Sequence, residues 1–573
     1  RMTRPIPRHA LEDRCIPFIL SNLQACSEKC QHSRHGHAEA DFLPTRLIDV
    51  RGAKLAIIET TSLAAASSRA GRDSRYLTLS YCWGNPEQAK SQLKLSSVSE
   101  DRLKREFLFG DMSPIQQDAV ALTRTLGVPY LWIDALCIRQ GDAADWARES
   151  SQMHRIYAGS YATICALASA SCQEGFLTRG RNPFTITLPY AGVYYPEDDL
   201  RRPSTFEIGH SAIYSDDTPS HGEVVVSEIE SSRWSSRGWT FQEGIMSTRT
   251  IYFSRLGLIF ACSQGTKTEL GNEVRTEDND DARFMLDRIS NPSSSRADLY
   301  DLWNGQVVLG YSRRELTSPT NALPALSGLA QRFAAALTGD QYVAGMWSGD
   351  LIKGLSWSAE NRPHKTLSGL TRALEQPSAA YYIAPSWSWA GRGPISFFTT
   401  GDRSLDPWLG WKSPTIRSEC DNLATATVPQ GVDRFGQISH GELSLTAHAF
   451  PLGSIAAYSD EARRDNSPIG EYVCHREEDG ISVMFMCYLD WEPSGDQEDW
   501  ARNLMLVMTG SVETAAEKSG RYRAFVETDP CGLIVHPIKA GDAYLRVGTF
   551  DRAERGILTG FLKRTLRRIS GFR

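Results

Sequence analysis

Apolar positions switch between two periods along the first third of the chain, and the switches mark alternating strands and helices between about residues 46 and 169. Residues 76–81 form a short apolar strand. Ser113-Pro114-Ile115-Gln116 then announces a helix: Ser at the cap, Pro at the first helical position, and Gln three residues after the cap. Ile115, Ala119, Leu122 and Leu126 follow at helical spacing, and Gly127 stops the helix. Residues 128–133 are apolar without alternation, the pattern of a strand buried on both faces. Pro129 is tolerable there only because it opens that strand. A second helix starts near Asp142, with Asp145 three residues on, and carries Trp146, Ser150, Met153, Ile156 and Tyr157 on one face. Residues 161–167 supply the next strand. Strand, helix, strand, helix, strand with short connections predicts an α/β fold with a doubly wound, mostly parallel sheet. The ligand site of such a sheet lies at the carboxyl ends of its strands.

Further along, the pattern loosens. Residues 183–230 are irregular and rich in turn formers, an insertion with short strands, and residues 249–253 restore a strand. An acidic run at 276–281 and a Ser-rich run at 291–295 read as surface linkers. Helical segments are predicted around 302–310 and 322–337, followed by Trp347, Trp357 and Pro385-Ser-Trp-Ser-Trp-Ala390. From about Leu405 the chain reads as strands and turns. A length of 573 residues exceeds one ordinary core. We therefore divide the chain into an N-terminal segment (1–45), an α/β domain (46–270), a helical, Trp-rich region (271–400) and a β-rich C-terminal region (401–573). At its end Ile557, Leu558, Phe561, Leu562, Leu566 and Ile569 recur at helical spacing among basic residues. That is either a helix docked on the β-rich region, the preferred reading, or a peripheral contact with an anionic membrane.

A net charge of −6 gives no reason to expect a nucleic-acid partner. No run approaches the length of a membrane span, and no charged-then-apolar leader is visible. The 12 cysteines show no tight framework, and several sit in apolar runs, which fits a reduced, cytoplasmic protein. Cys26, Cys30, His32, His35 and His37 are enough ligands for zinc in principle, but no second Cys/His pair stands at the usual distance, so no metal is expected. Phosphate-loop, dinucleotide-loop, nucleophile-elbow and zincin motifs are absent from the sequence. No cofactor is expected.

Three segments carry the candidate chemistry, each a short apolar run ending in polar and aromatic residues: residues 76–84, 131–140 and 237–243. Asp134 leaves a buried strand where a doubly wound fold meets its ligand, or else caps loop amides. Gln140 lies in the same loop, Trp132 in the strand, and Cys137, with no activating His beside it, reads as core. Glu149 points along the apolar stripe of its helix and must find a partner or be perturbed; it either pairs with an Arg or stabilises an oxocarbenium-like centre. Ser80, Tyr81, Trp83 and Gly84 offer a hydroxyl, a phenol, a stacking face and a flexible backbone. Arg237 is either an ion-pair partner or an anion clamp, accompanied by Trp239 and Gln242. Glu243 completes this block, or else belongs to a Thr240-x-x-Glu243 capping box.

In this order the three blocks resemble the signature of the fungal heterokaryon-incompatibility (HET) domain. The resemblance extends from residue 43 to Cys262, and continues through Tyr311-Ser-Arg313, Gly345-x-Trp347 and Pro385-Ser-Trp-Ser-Trp389. Two departures are Asn321, where members often carry Asp, and the Cys/His order around Cys26–Cys30, which is not the usual one and weakens a metal reading there. The resemblance implies an effector of fungal nonself recognition that triggers or transmits cell death through self-association or a protein partner. It also implies a flavodoxin-like layout similar to Toll/interleukin-receptor (TIR) domains. Some of those cleave NAD with a helix-borne glutamate, which makes Glu149 and Asp134 the catalytic candidates if the chain is an enzyme, with NAD or a related nucleotide as its substrate; a HET-like fold recruited to other metabolism is the remaining alternative.

Overall fold

The computed structural model describes residues 9–12, 14–30, 42–61, 73–179, 185–190, 204–209, 228–255, 257–269, 273–274, 285–375, 382–397, 415–452, 471–478, 481–492, 503–516, 525–538, 543–553 and 566–567. The chain forms two compact units, Arg1–Pro292 and Ser293–Arg573.

The first unit is built on a nine-stranded mixed sheet. Its strands are β1 (Arg46–Asp49), β2 (Ala56–Glu59), β3 (Tyr76–Ser80), β4 (Tyr130–Trp132), β5 (Ala162–Cys165), β8 (Arg249–Phe253), β9 (Leu258–Cys262), β10 (Gly265–Thr268) and β11 (Glu273–Val274). A separate antiparallel hairpin, β6 (Thr185–Tyr190) with β7 (Ser204–Gly209), lies in the irregular insertion. The sheet order is β11-β10-β9-β8-β5-β3-β4-β1-β2. Parallel pairing is confined to the four central strands, β8, β5, β3 and β4. Antiparallel strands extend the sheet on both sides; on the β8 side their connections are too short for a crossover, with only residues 254–257 between β8 and β9 and 263–264 between β9 and β10.

Every residue of β3, β4 and β5 is buried, as continuous apolar runs require of a sheet covered on both faces. Inside this core Thr78 and Thr163, opposite one another in register, join hydroxyls at 2.7 Å. The helices of this unit are α1 (Cys15–Lys29), α2 (Pro86–Ser91), α3 (Glu100–Arg105), α4 (Pro114–Thr125), α5 (Asp134–Cys137), α6 (Ala143–Ala158), α7 (Gly238–Met246) and α8 (Met285–Ser290). The start signals read from the sequence operate. The Ser113 amide donates to Gln116 Oε1 at 3.1 Å ahead of α4, and Asp142 Oδ1 accepts from the Ala144 and Asp145 amides at 3.0 Å ahead of α6. Gly127 follows α4 at φ +66°.

In the second unit Ser295 caps a helix over Arg296–Leu302, its hydroxyl accepting from the Asp298 amide. That helix continues through a π turn at Trp303–Val308 into Leu309–Ser312. Trp303, Phe333, Tyr342 and Trp347 pack edge to face around it. The remainder is an antiparallel sheet running from Thr415–Ser418 to Leu566–Arg567. At its core the Arg546 guanidinium lies 3.2 Å from the Trp357 ring centroid and pairs with Asp490 at 2.7 Å, all three fully buried. Leu566 and Arg567 are extended and pair with His448 and Ala447, so there the chain is strand and not the helix that apolar spacing suggested. The rest of that C-terminal stretch, the acidic run at 276–281 and His32, His35 and His37 lie outside the described residues. Among the described residues, no helix is long and apolar enough to cross a membrane.

Candidate functional site

The three polar blocks meet where the parallel strands end. β3 delivers Ser80 and then Tyr81, Cys82 and Trp83; β4 delivers Ile133 and Asp134, the first residue of α5; and α7 starts just after Arg237 and packs against β3 and α6.

Ser80 is the hub of one half. Its hydroxyl accepts from the Trp234 indole N–H at 2.7 Å and donates to Glu243 Oε2. Glu243 is 7% exposed, and burial pushes its pKa up to about 7. The charge of Asp134 adds to the rise, while Ser80, the Arg237 charge and the Tyr157 hydroxyl oppose it. The capping-box reading of Thr240 and Glu243 does not hold. Arg237 is the N-cap, and the Thr240 hydroxyl donates to the Trp234 and Arg237 carbonyls. The Glu243 side chain crosses to Ser80 because its helix is buried on the side that faces β3.

Asp134 is the hub of the other half. Its Oδ2 accepts from the Trp83 indole at 2.9 Å and its Oδ1 from the Ala135 amide at 2.7 Å. The residue keeps some open surface, yet its carboxyl is enclosed enough for burial to raise its pKa against the pull of Ala135, Arg237, Trp83 and Tyr81. Tyr81, buried, donates to Gln92 Oε1 at 2.7 Å; burial and the Asp134 charge hold its phenol well above the ordinary value. Asp134, Glu243, Arg237 and Tyr81 therefore share one field, and they come from all three blocks. Trp83, Arg237 and Trp239 remain half-exposed at its rim, with Trp239 edge-on to Trp146 at 6.3 Å. A carboxyl near half-protonation, a second carboxyl, a guanidinium and open indole faces can donate a proton, stabilise a cation and stack a planar ligand.

The other candidates serve this frame. Gly84 takes φ +86°, and a Cβ there would stand 2.6 Å from Ser171 Cβ. Gln140 staples its loop, donating to the Asp134 and Ile138 carbonyls at 3.2 and 3.0 Å. Trp132 is core, edge-on to Tyr157 at 5.7 Å. Cys137 is fully buried with its thiol pKa raised by desolvation, the opposite of an activated nucleophile. Gln242 is buried in α7.

Glu149 belongs to a neighbouring network. It is 1% exposed, and its Oε1 accepts from Arg148 Nε at 3.2 Å. Arg148 also pairs with Asp145, which forms a buried two-pronged pair with Arg46; Arg46 in turn donates to the Cys137 carbonyl at 2.6 Å. The structure thus joins Asp134 with Glu243 and Arg237, and ties Glu149 to arginine. Sequence reading passed over Trp234, Arg46 and Asp145 as site-forming residues. An Arg opening the apolar run 46–48, which must find a buried partner, was the available signal.

A group of donors able to hold a metal, Cys26, Cys30 and Cys262, involves none of these residues. No curated protein and no solved structure matches the chain. Residues 76–243 match the family model described as Heterokaryon incompatibility protein (HET). That segment opens on the first residue of β3 and closes on Glu243, so the chain carries a HET domain whose span takes in Ser80, Asp134, Arg237 and Glu243.

Proposed function

We propose that this protein is a cytoplasmic effector of fungal nonself recognition, which triggers or transmits cell death by self-association or by binding a protein partner. The match of residues 76–243 to the HET family carries this reading. The half-exposed indoles of Trp83 and Trp239 beside Arg237 support a surface that another molecule contacts. Inducible expression of the full chain in a filamentous fungus tests it: growth arrest and death are expected, and Arg237→Ala should weaken them. Normal growth of cells that accumulate the folded full chain would overturn the effector reading.

One observation favours a second reading, an enzyme that hydrolyses NAD or a related nucleotide. Glu243, with its pKa near 7, lies beside Asp134 where parallel strands end. Counted from β3, the parallel strands run second-first-third-fourth across the sheet, which supports a flavodoxin-like, TIR-like layout with a ligand at that end. In such a reaction water replaces nicotinamide at the ribose anomeric carbon, and a carboxylate stabilises the cationic centre. We assign that role to Asp134 and Glu243, while Glu149 is engaged by Arg148. Release of nicotinamide by the purified full chain, lost in Glu243→Gln, is the expected result. Absence of release from folded, assembled protein would leave the interaction reading alone.

A further inference from the structure

In the first unit, far along the sheet from the parallel strand ends, three cysteine sulfurs converge. Cys26 lies in the last turn of α1, and Cys30 follows one turn later, its amide donating to the Cys26 carbonyl at 3.0 Å. Cys262 is the last residue of β9, the strand against which α1 packs. The three Sγ atoms lie within 4.8 Å of one another. Among the described residues no other group of Cys, His, Asp or Glu meets that condition. Cys26 and Cys262 are buried and Cys30 is half-buried.

We propose that Cys26, Cys30 and Cys262 form a thiolate site for a soft divalent cation, zinc above all, that ties the N-terminal helix to the sheet. Geometry allows it. Zinc–thiolate bonds of about 2.3 Å place the sulfurs of a tetrahedral site roughly 3.8 Å apart, so the present arrangement needs to contract by no more than about 1 Å. Charge allows it as well. Three thiolates around Zn²⁺ carry a net charge of −1, and a guanidinium is already in place to balance it. Arg249 Nε donates to Cys26 Sγ at 3.2 Å, and its Nη1 is anchored on the Tyr161 carbonyl at 3.2 Å. Arg249 also stands opposite Cys262 in the β8–β9 register, so the cation is held by the sheet. N–H donation to a metal-bound sulfur is the usual way a protein orients and tunes a thiolate ligand. Three protein ligands leave the fourth tetrahedral corner for water or an added donor. Each thiol releases its proton to solvent as its sulfur binds, and no electrons move.

The test uses the full chain, purified under reductant, stripped with chelator and then offered Zn²⁺ alone. About one equivalent should stay bound after desalting, and Co²⁺ in its place should give thiolate-to-metal charge-transfer absorption. Cys30→Ser, at a half-buried position, should weaken Zn²⁺ affinity roughly 10-fold or more, and Cys487→Ser should leave it unchanged. Zn²⁺ should also slow amide exchange in residues 15–29, which a cysteine cluster serving only as packing would not do. Retention below about a tenth of an equivalent, or equal retention in a Cys26/Cys30/Cys262 triple serine variant that still folds, would overturn the site. So would a Cys26–Cys262 disulfide found by peptide mapping of the chain isolated without reductant. None of these outcomes bears on the nonself-recognition reading, which concerns different residues.

Discussion

The indole N–H of Trp83 is bonded to Asp134 Oδ2 at 2.9 Å, and this single contact splices the turn after β3 to the turn after β4. Two blocks 51 residues apart are thereby one device. Asp134 Oδ1 is meanwhile taken by the amide of Ala135, so the carboxylate is fixed in orientation, within electrostatic reach of Arg237 and Glu243.

Removing that contact should perturb the acid. Trp83→Phe keeps an aromatic ring and deletes the donor, costing about 1.5–3 kcal/mol for a bond to a charged group. The Trp83 bond lowers the Asp134 pKa, so its loss raises a value that burial has already raised. Carbon-13 titration of labelled aspartates in both forms measures this; an Asp134 curve that does not move upward would contradict the assignment.

Glu243 makes stability depend on pH with a defined sign. Its folded pKa of about 7 lies above the ordinary 4.5, so the unfolded chain ionises first as pH rises. The carboxyl's contribution is intact below about pH 4.5 and is lost progressively towards about pH 7, by up to about 3 kcal/mol. Amide exchange of peptides from residues 76–84 should therefore show protection falling across that window. Glu243→Gln should flatten the fall.

The Arg46–Asp145 pair, 4% and 2% exposed, is expected to be costly to break and cheap to replace. Arg46→Met or Asp145→Leu alone should destabilise the first unit by about 3–5 kcal/mol, by stranding the partner charge. The double variant should recover a large part of that. A double-mutant cycle read by the same exchange measurement decides, and simple additivity would count against a coupled pair.

In the second unit Gly345 has φ +95°, and a Cβ there would stand 2.9 Å from the Trp389 indole. The Gly345 carbonyl accepts from the indoles of both Trp303 and Trp389, at 2.9 and 3.0 Å. Gly345→Ala should therefore destabilise this unit by about 2 kcal/mol or more, through strain and the displaced ring together. Denaturant unfolding with tryptophan fluorescence checks it.

The elements most legible in the sequence were those with one strong local cause. Residues 128–133 could only be a doubly covered strand, and Ser113-Pro114 could only open a helix, so the placement of Asp134 at a strand exit followed. Of the two readings of Glu243, the capping box drew on Thr240 at the right local spacing, while the actual partner, Ser80, is 163 residues away. Long-range pairing also decided Glu149, whose position on an apolar stripe was visible but whose capture by Arg148 over Arg46 was not. The antiparallel flanks of the sheet escaped notice because β1 and β2 have four residues each and lack the length that makes alternation readable. Cys262 lay too far from Cys26 to be counted with it.

The two outer strands constrain how copies of the first unit could assemble. One border of its sheet is β11, two residues long; the other is β2, four residues long. The residue just before β2, Leu55, bridges to Phe107, and Glu59 at its end is ion-paired to Lys104 on α3 at 2.7 Å. Short, charged and partly roofed borders offer little template for sheet-to-sheet growth. Along the described borders, contacts between side chains, and with them a discrete, salt- and mutation-sensitive complex, are favoured over amyloid-like growth.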